Sequence, residues 1–113
     1  MNPELPKANW KNLIMYRMGR RRAFLVEGDS MTPTLGSGEV VLVRPSKIYG
    51  VGDIVLAEHP YKSSVNVLKR IDRIEPNGSL HLVGDNPAAS TDSRTFGAVS
   101  IESIIGKVVC RLK

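Results

Sequence analysis

The sequence predicts an all-β domain, a compact barrel or sandwich of short strands with one short helix near the N-terminus. Three observations carry this. Phe24-Leu25-Val26, Val40-Val41-Leu42-Val43 and Ile54-Val55-Leu56-Ala57 are short apolar runs, each bounded by Gly, Pro, Asp or Ser. Pro76-Asn77-Gly78 is a turn signal between two further runs and predicts a hairpin. The length, 113 residues, suits one domain with one modest core.

In chain order, residues 1–7 contain Pro3 and Pro6 and read as an extended lead-in. Residues 8–18 read as a helix, because Trp10, Leu13, Ile14 and Met18 recur near helical spacing and Gly19 supplies a stop. The run Arg20-Arg21-Arg22 follows, so residues 1–22 form a basic arm and helix, and residues 23–113 the β domain. Such a helix can lie on a membrane surface or pack on the domain or a partner. The three apolar runs above supply strands, and a longer one is expected over 65–74. It turns through Pro76-Asn77-Gly78 into Leu80-His81-Leu82-Val83. A loop spans 84–97, Ser100 is placed to cap one helical turn, and Lys107 to Leu112 closes the chain as a strand.

Composition excludes several classes. Hydrophobic residues make up 42% and charged residues 24%, which is globular rather than disordered. Aromatics are 5%, which argues against base stacking as a function. The net charge of +5 admits nucleic acid, an anionic membrane or an acidic substrate, although a solvated arm explains it as well. The single Cys110 forbids an internal disulfide, and His59 and His81 lack metal-ligand spacing, so neither a metal nor a cofactor is expected. No leader-like apolar core opens the chain and no run nears the ~20 apolar residues that span a bilayer. The expected location is therefore cytoplasmic.

Two residues carry candidate chemistry. Ser30 lies in Glu27-Gly28-Asp29-Ser30-Met31-Thr32-Pro33-Thr34-Leu35, just after an apolar strand. A strand-to-loop junction can expose a hydroxyl with its own N–H facing the same space, as a nucleophile with an oxyanion donor requires. A serine beside Gly and Pro is usually just a turn residue. Of the candidate bases, His59 and His81 lack a partner pattern. In the 65–72 strand, alternation puts Val65, Val67, Lys69 and Ile71 on one face and Asn66, Arg70 and Asp72 on the other. Lys69 then sits on an apolar face, where burial disfavours the ammonium form. Acting as a base near pH 7–8 requires a pKa ~2–3 below the ordinary ~10.4, or ~3–4 kcal/mol. Periodicity leaves open the alternative that Lys69 snorkels to water from a strand end.

The run Ser30-Met31-Thr32-Pro33-Thr34-Leu35, the pair Lys69-Arg70 and the stretch Gly84-Asp85-Asn86-Pro87-Ala88-Ala89-Ser90-Thr91-Asp92-Ser93-Arg94-Thr95-Phe96-Gly97 resemble the three defining boxes of type I signal peptidases. Gly52-Asp53-Ile54-Val55 matches a further element between the first two boxes. The resemblance covers residues 24–109, and its last box is the most constrained. It implies the signal peptidase/LexA-like β fold and a serine endopeptidase with a Ser30/Lys69 dyad. Ser30 would be the nucleophile and its N–H an oxyanion donor. Lys69 would be the base, oriented by Ser90. Asp85, Asn86, Asp92 and Arg94 would form a hydrogen-bonded loop that supports the site, Asp92 and Arg94 holding it near the dyad with Arg70, and Met31 would line the pocket for the residue before the cut. The implied partner is a precursor protein with small residues before the cut, and no nucleic acid.

Gly28 stands where some members of that family carry a serine as a second oxyanion donor. The short form without a membrane-spanning segment is similar to the nickel-type superoxide dismutase maturation proteases, which implies removal of an N-terminal propeptide. Two rivals stand beside this reading. A self-cleaving regulator of the LexA and UmuD type shares the dyad, but the first 29 residues hold no Ala-Gly or Cys-Gly cleavage site. A non-enzymatic basic nucleic-acid-binding β domain explains the charge but not Lys69 or the boxes.

Overall fold

The computed structural model describes residues 5–89 and 97–112. Six strands form one antiparallel sheet: β1 (Arg22–Leu25), β2 (Val40–Arg44), β3 (Ile54–Glu58), β4 (Asn66–Ile74), β5 (Leu80–Val83) and β6 (Ile104–Arg111). Their order across the sheet is β1-β2-β6-β3-β4-β5. The all-β expectation holds, but the sheet does not close: β1 and β5 remain its two edges, so the barrel alternative is corrected to an open sheet. Register shifts between Leu42 and Val43, Leu56 and Ala57, and Ile71 and Arg73 interrupt three of the ladders. Such irregularities bend strands locally and raise their twist.

Strand β3 shows how the sheet is buried. Ile54 and Leu56 belong to a cluster with Val26, Met31, Leu35, Val41, Val43, Leu68 and Val108. Val55 and Ala57 belong to a second cluster with Ile71, Leu80, Leu82 and Val99. Successive side chains on a strand point to opposite faces, so β3 separates two apolar layers. Burial on both sides explains why its sequence reads as a continuous apolar run rather than an alternation.

Helix α1 spans Trp10–Arg17, inside the expected window. The Asn9 side chain accepts the Asn12 N–H, and Met18 donates its N–H to the Ile14 carbonyl before Gly19 turns out at φ +77°. No residue of α1 is buried. The chain before it is tied to β6, with Ala8 N–H donating to the Arg111 carbonyl at 2.8 Å. The Pro76-Asn77-Gly78 turn joins β4 to β5 as expected, with Gly78 at φ +89°. Ser100 caps the single turn Ile101–Ser103 by accepting the Glu102 N–H. β6 starts three residues before the expected Lys107.

Candidate active site

The nucleophile candidate sits on the turn between β1 and β2. Val26 leaves β1, donating its N–H to the Glu39 carbonyl at 2.8 Å, and Gly28 takes φ +79°, which favours glycine. Met31 and Leu35 plug into the first apolar layer at 1% and 0% exposure. The turn is thus nailed down by two apolar side chains while Ser30 stays half-buried at its top.

Lys69 arrives from the other side of the sheet. It lies in β4 opposite Val55 of β3 and is 4% exposed. The snorkelling alternative therefore fails, because water reaches almost none of the residue. The wall around it differs from simple alternation. Ile71 is buried, Val67 is half-buried, and Val65, outside the strand, is 41% exposed and excludes little water. Leu68 is buried on the opposite face of β4, so neither face of the strand is a solvent face here.

A cleft of about 420 Å3 brings these parts together. Phe24 to Glu27, Ser30 and Met31 line it from β1 and the turn after it, and Ser64 and Asn66 to Lys69 line it from β4 and the chain before it. Ser30, Met31 and Lys69 thus share one cavity, as the sequence reading requires. Neither histidine does. His59 Nδ1 accepts the N–H groups of Tyr61 and Lys62 beyond β3, and His81 contacts Glu75 and Arg73 on the hairpin.

Asp85 and Asn86, expected from the sequence as part of a hydrogen-bonded loop that supports the site, fasten the Ser30 turn. Asn86 donates its backbone N–H to the Ser30 carbonyl at 2.9 Å, and its side-chain amide to the Asp29 carbonyl at 3.1 Å and Thr32 Oγ1 at 3.0 Å. Asp85 accepts from Thr34 Oγ1 and, through both oxygens, from Arg70 Nε and Nη2 at 2.9 and 2.8 Å. Arg70 Nη1 donates to the Gly52 carbonyl at 2.7 Å. Arg70 was expected beside Asp92 and Arg94, and its described partners are Asp85 and Gly52. Asp53 in turn accepts the Gly50 N–H and pairs with Lys107 at 3.3 Å. Asp85 and Asn86 stand in the third box and Gly52-Asp53 in the intervening element, which marks these residues but not the partners they bond.

Burial pushes the Asp85 carboxyl up, but the hydrogen bonds from Arg70 and Thr34 and the Arg70 charge outweigh it and hold it below the usual carboxylate range. The clamp is therefore ionic at neutral pH. Burial raises the Cys110 thiol, which removes it as a competing nucleophile. Ser90, Asp92 and Arg94 lie outside the described residues.

A family model described as Peptidase S24-like matches residues 7–109. Curated relatives include mitochondrial inner membrane protease subunit 1 of Schizosaccharomyces pombe, 37% identical over 111 residues, covering 78% of this chain and 71% of that protein. The Arabidopsis thaliana mitochondrial ATP-independent inner membrane protease subunit 1a is 38% identical over 114 residues, covering 77% and 67%. Subunit 1 of Xenopus tropicalis is 32% identical over 111 residues, covering 78% and 66%. The match thus spans about two thirds of these relatives' length. Two expectations change. These relatives are inner membrane protease subunits rather than nickel-type superoxide dismutase maturation proteases. Their names place them at a mitochondrial membrane, which overturns the cytoplasmic location expected from the lack of a leader. Among the described residues, no helix is long and apolar enough to cross a membrane.

Proposed function

We propose that this chain, which belongs to the Peptidase S24-like family, is a serine endopeptidase that removes a leader or propeptide from a precursor protein with a Ser30/Lys69 dyad. The observation that carries the reading is the shared cleft, which the half-buried Ser30, the 4%-exposed Lys69 and Met31 all line. The protease-named relatives favour it over a nucleic-acid-binding module.

In this mechanism the neutral Lys69 amine takes the Ser30 hydroxyl proton as Oγ attacks the scissile carbonyl carbon. The Ser30 N–H stabilises the oxyanion. Collapse breaks the C–N bond, and Lys69 returns the proton to the leaving nitrogen. Water then attacks the acyl-enzyme ester, giving its proton to Lys69, and the Ser30 hydroxyl is regenerated as the product acid departs. The Asn86 and Asp85 contacts keep the Ser30 turn in place while its Oγ changes bonding. Ser90 would orient the amine. Met31 and Val26 line the cleft as apolar groups and would select small residues by excluding bulk.

The test is cleavage of peptides carrying Ala at the first and third positions before the cut, mapped by mass spectrometry. A pro-form of nickel superoxide dismutase serves as one candidate protein substrate. Ser30→Ala should abolish cleavage and leave thermal unfolding unchanged within about 0.5 kcal/mol, as befits a turn hydroxyl. Wild-type turnover in that variant sinks the reading, as does equal cleavage of peptides with Phe or Lys at the first position. Concentration-independent cutting of the chain itself would instead favour the self-cleaving regulator.

A further inference from the structure

Helix α1 keeps its apolar side chains in water. Trp10, Leu13, Ile14 and the capping Met18 are 67%, 41%, 47% and 62% exposed. Trp10, Ile14 and Met18 recur every fourth residue and so stack along one side. A depression of about 310 Å3 lies beside them, lined by Trp10, Lys11, Ile14, Met15 and Arg21. The helix is nevertheless tied to the sheet before its start and through its first turn. Ala8 bonds to Arg111 of β6 at 2.8 Å, and Arg21 Nε donates to Asn12 Oδ1 at 3.4 Å. The apolar side is therefore presented by a fixed element.

From Leu5 to Arg22 every charged residue is basic. Lys7, Lys11, Arg17, Arg20 and Arg22 are exposed, and none is in an ion pair among the described residues. The first turn of α1 carries no acidic residue. An apolar protein patch would match Trp10 and Ile14 but leave five cations unmatched, and nucleic acid would match the cations but leave the aliphatic groups in water. An anionic bilayer surface satisfies both sets. An aromatic ring sits at the headgroup level, aliphatic tips reach the acyl boundary, and Lys and Arg meet lipid phosphates along their apolar stems. Cations and apolar groups share the exposed side of α1 rather than separating onto opposite faces. That pattern suits shallow adsorption held by charge, not deep insertion.

We propose that α1 and the basic turn after it dock the domain peripherally on an anionic lipid surface. The inference does not depend on the catalytic reading. Trp10 is the only tryptophan, so its fluorescence reports on α1 alone. The full chain is titrated with vesicles of phosphatidylcholine and with vesicles of mixed phosphatidylcholine and phosphatidylglycerol. The expected result is co-sedimentation and a blue shift of Trp10 emission with the anionic vesicles only, reversed by raising salt. The triple variant Arg17→Ser, Arg20→Ser, Arg22→Ser should weaken partitioning on the order of a hundredfold. Ile14→Ser with Met18→Ser should remove the blue shift. Because none of these residues is buried, both variants should keep the parent melting curve. Equal partitioning to both vesicle types, or a triple variant that binds like the parent, overturns the proposal. So does a Trp10 response to a precursor protein with none to vesicles, which would make α1 a protein-docking element.

Discussion

Asn86 grips the Ser30 turn with three donated hydrogen bonds, two of them from its side chain, to the Asp29 carbonyl and Thr32 Oγ1. Asn86→Ala removes those two and keeps the backbone bond to the Ser30 carbonyl. At ~0.5–1.5 kcal/mol net for each bond, stability should fall by about 1–3 kcal/mol in denaturant melts. If the turn positions a nucleophile, kcat should fall by more than KM rises, because Ser30 Oγ is displaced while the cleft walls stay. Lys69 gives the sharper residue-scale prediction. Lys69→Arg keeps the charge but cannot lose its proton, so it should be as inactive as Lys69→Ala. In the parent enzyme, turnover should rise with pH as Lys69 loses its proton, because a lysine that is 4% exposed is disfavoured as the cation. Near-normal turnover by Lys69→Arg would remove Lys69 from the mechanism.

Strand β6 shows what a central element tolerates. It lies between β2 and β3, and Gly106 sits where they crowd it. A Cβ there would meet the Arg44 carbonyl oxygen at 2.6 Å and Val43 Cγ1 at 2.7 Å. The oxygen belongs to the neighbouring strand's backbone and cannot swing aside, so Gly106→Ala should cost about 1–3 kcal/mol. Gly50→Ala is the control, since its Cβ would come no nearer than 3.9 Å to Asp53 Oδ2 and should shift stability by under about 0.5 kcal/mol. Matching melting curves for the two variants would refute this account of β6. The strands themselves were legible, because turn residues bracket each apolar run and the hairpin turn carries its own signature. Their order was not, because inserting β6 between β2 and β3 is a long-range pairing that no local pattern encodes. Alternation also assigned Val65 to an apolar wall, whereas β4 begins at Asn66 and is buried on both faces from Leu68 to Ile71, so period-two reasoning had no solvent face to find there. Ser30 and Lys69 were legible from a strand-to-loop junction and an apolar strand face, and took their roles from the resemblance. The Asp85 clamp was not, since an Asp in a Gly-Asp-Asn turn looks the same whether it faces solvent or a buried arginine.

For the molecule as a whole, that clamp joins three distant parts of the chain: the Ser30 turn through Thr34, β4 through Arg70, and the loop after β5 that carries Asp85 itself. The side chains of Arg70 and Asp85 are 9% and 5% exposed, so the pair is desolvated and its loss is not screened away by water. The Asp85 pKa is lowered in the folded protein, because the Arg70 and Thr34 bonds outweigh the effect of burial. Below the ordinary carboxylate pKa of ~3.9, the unfolded chain therefore binds a proton that the folded chain refuses. Stability from this group is fully present above that pH and drains away as pH falls through the lower folded pKa. Denaturant midpoints should thus be flat near neutrality and decline below about pH 4. Asp85→Asn separates this group from other carboxylates. It cannot ionise and leaves Arg70 buried without its counter-charge, so it should cost about 3–5 kcal/mol at neutral pH. The gap between variant and parent should then narrow as the pH falls, because acid removes from the parent the same charge that the substitution removes outright. A gap that stays constant from neutrality down through the acid limb would mean that Asp85 is not an ionised clamp, and that the Ser30 turn is fastened by Asn86 and its apolar plugs alone.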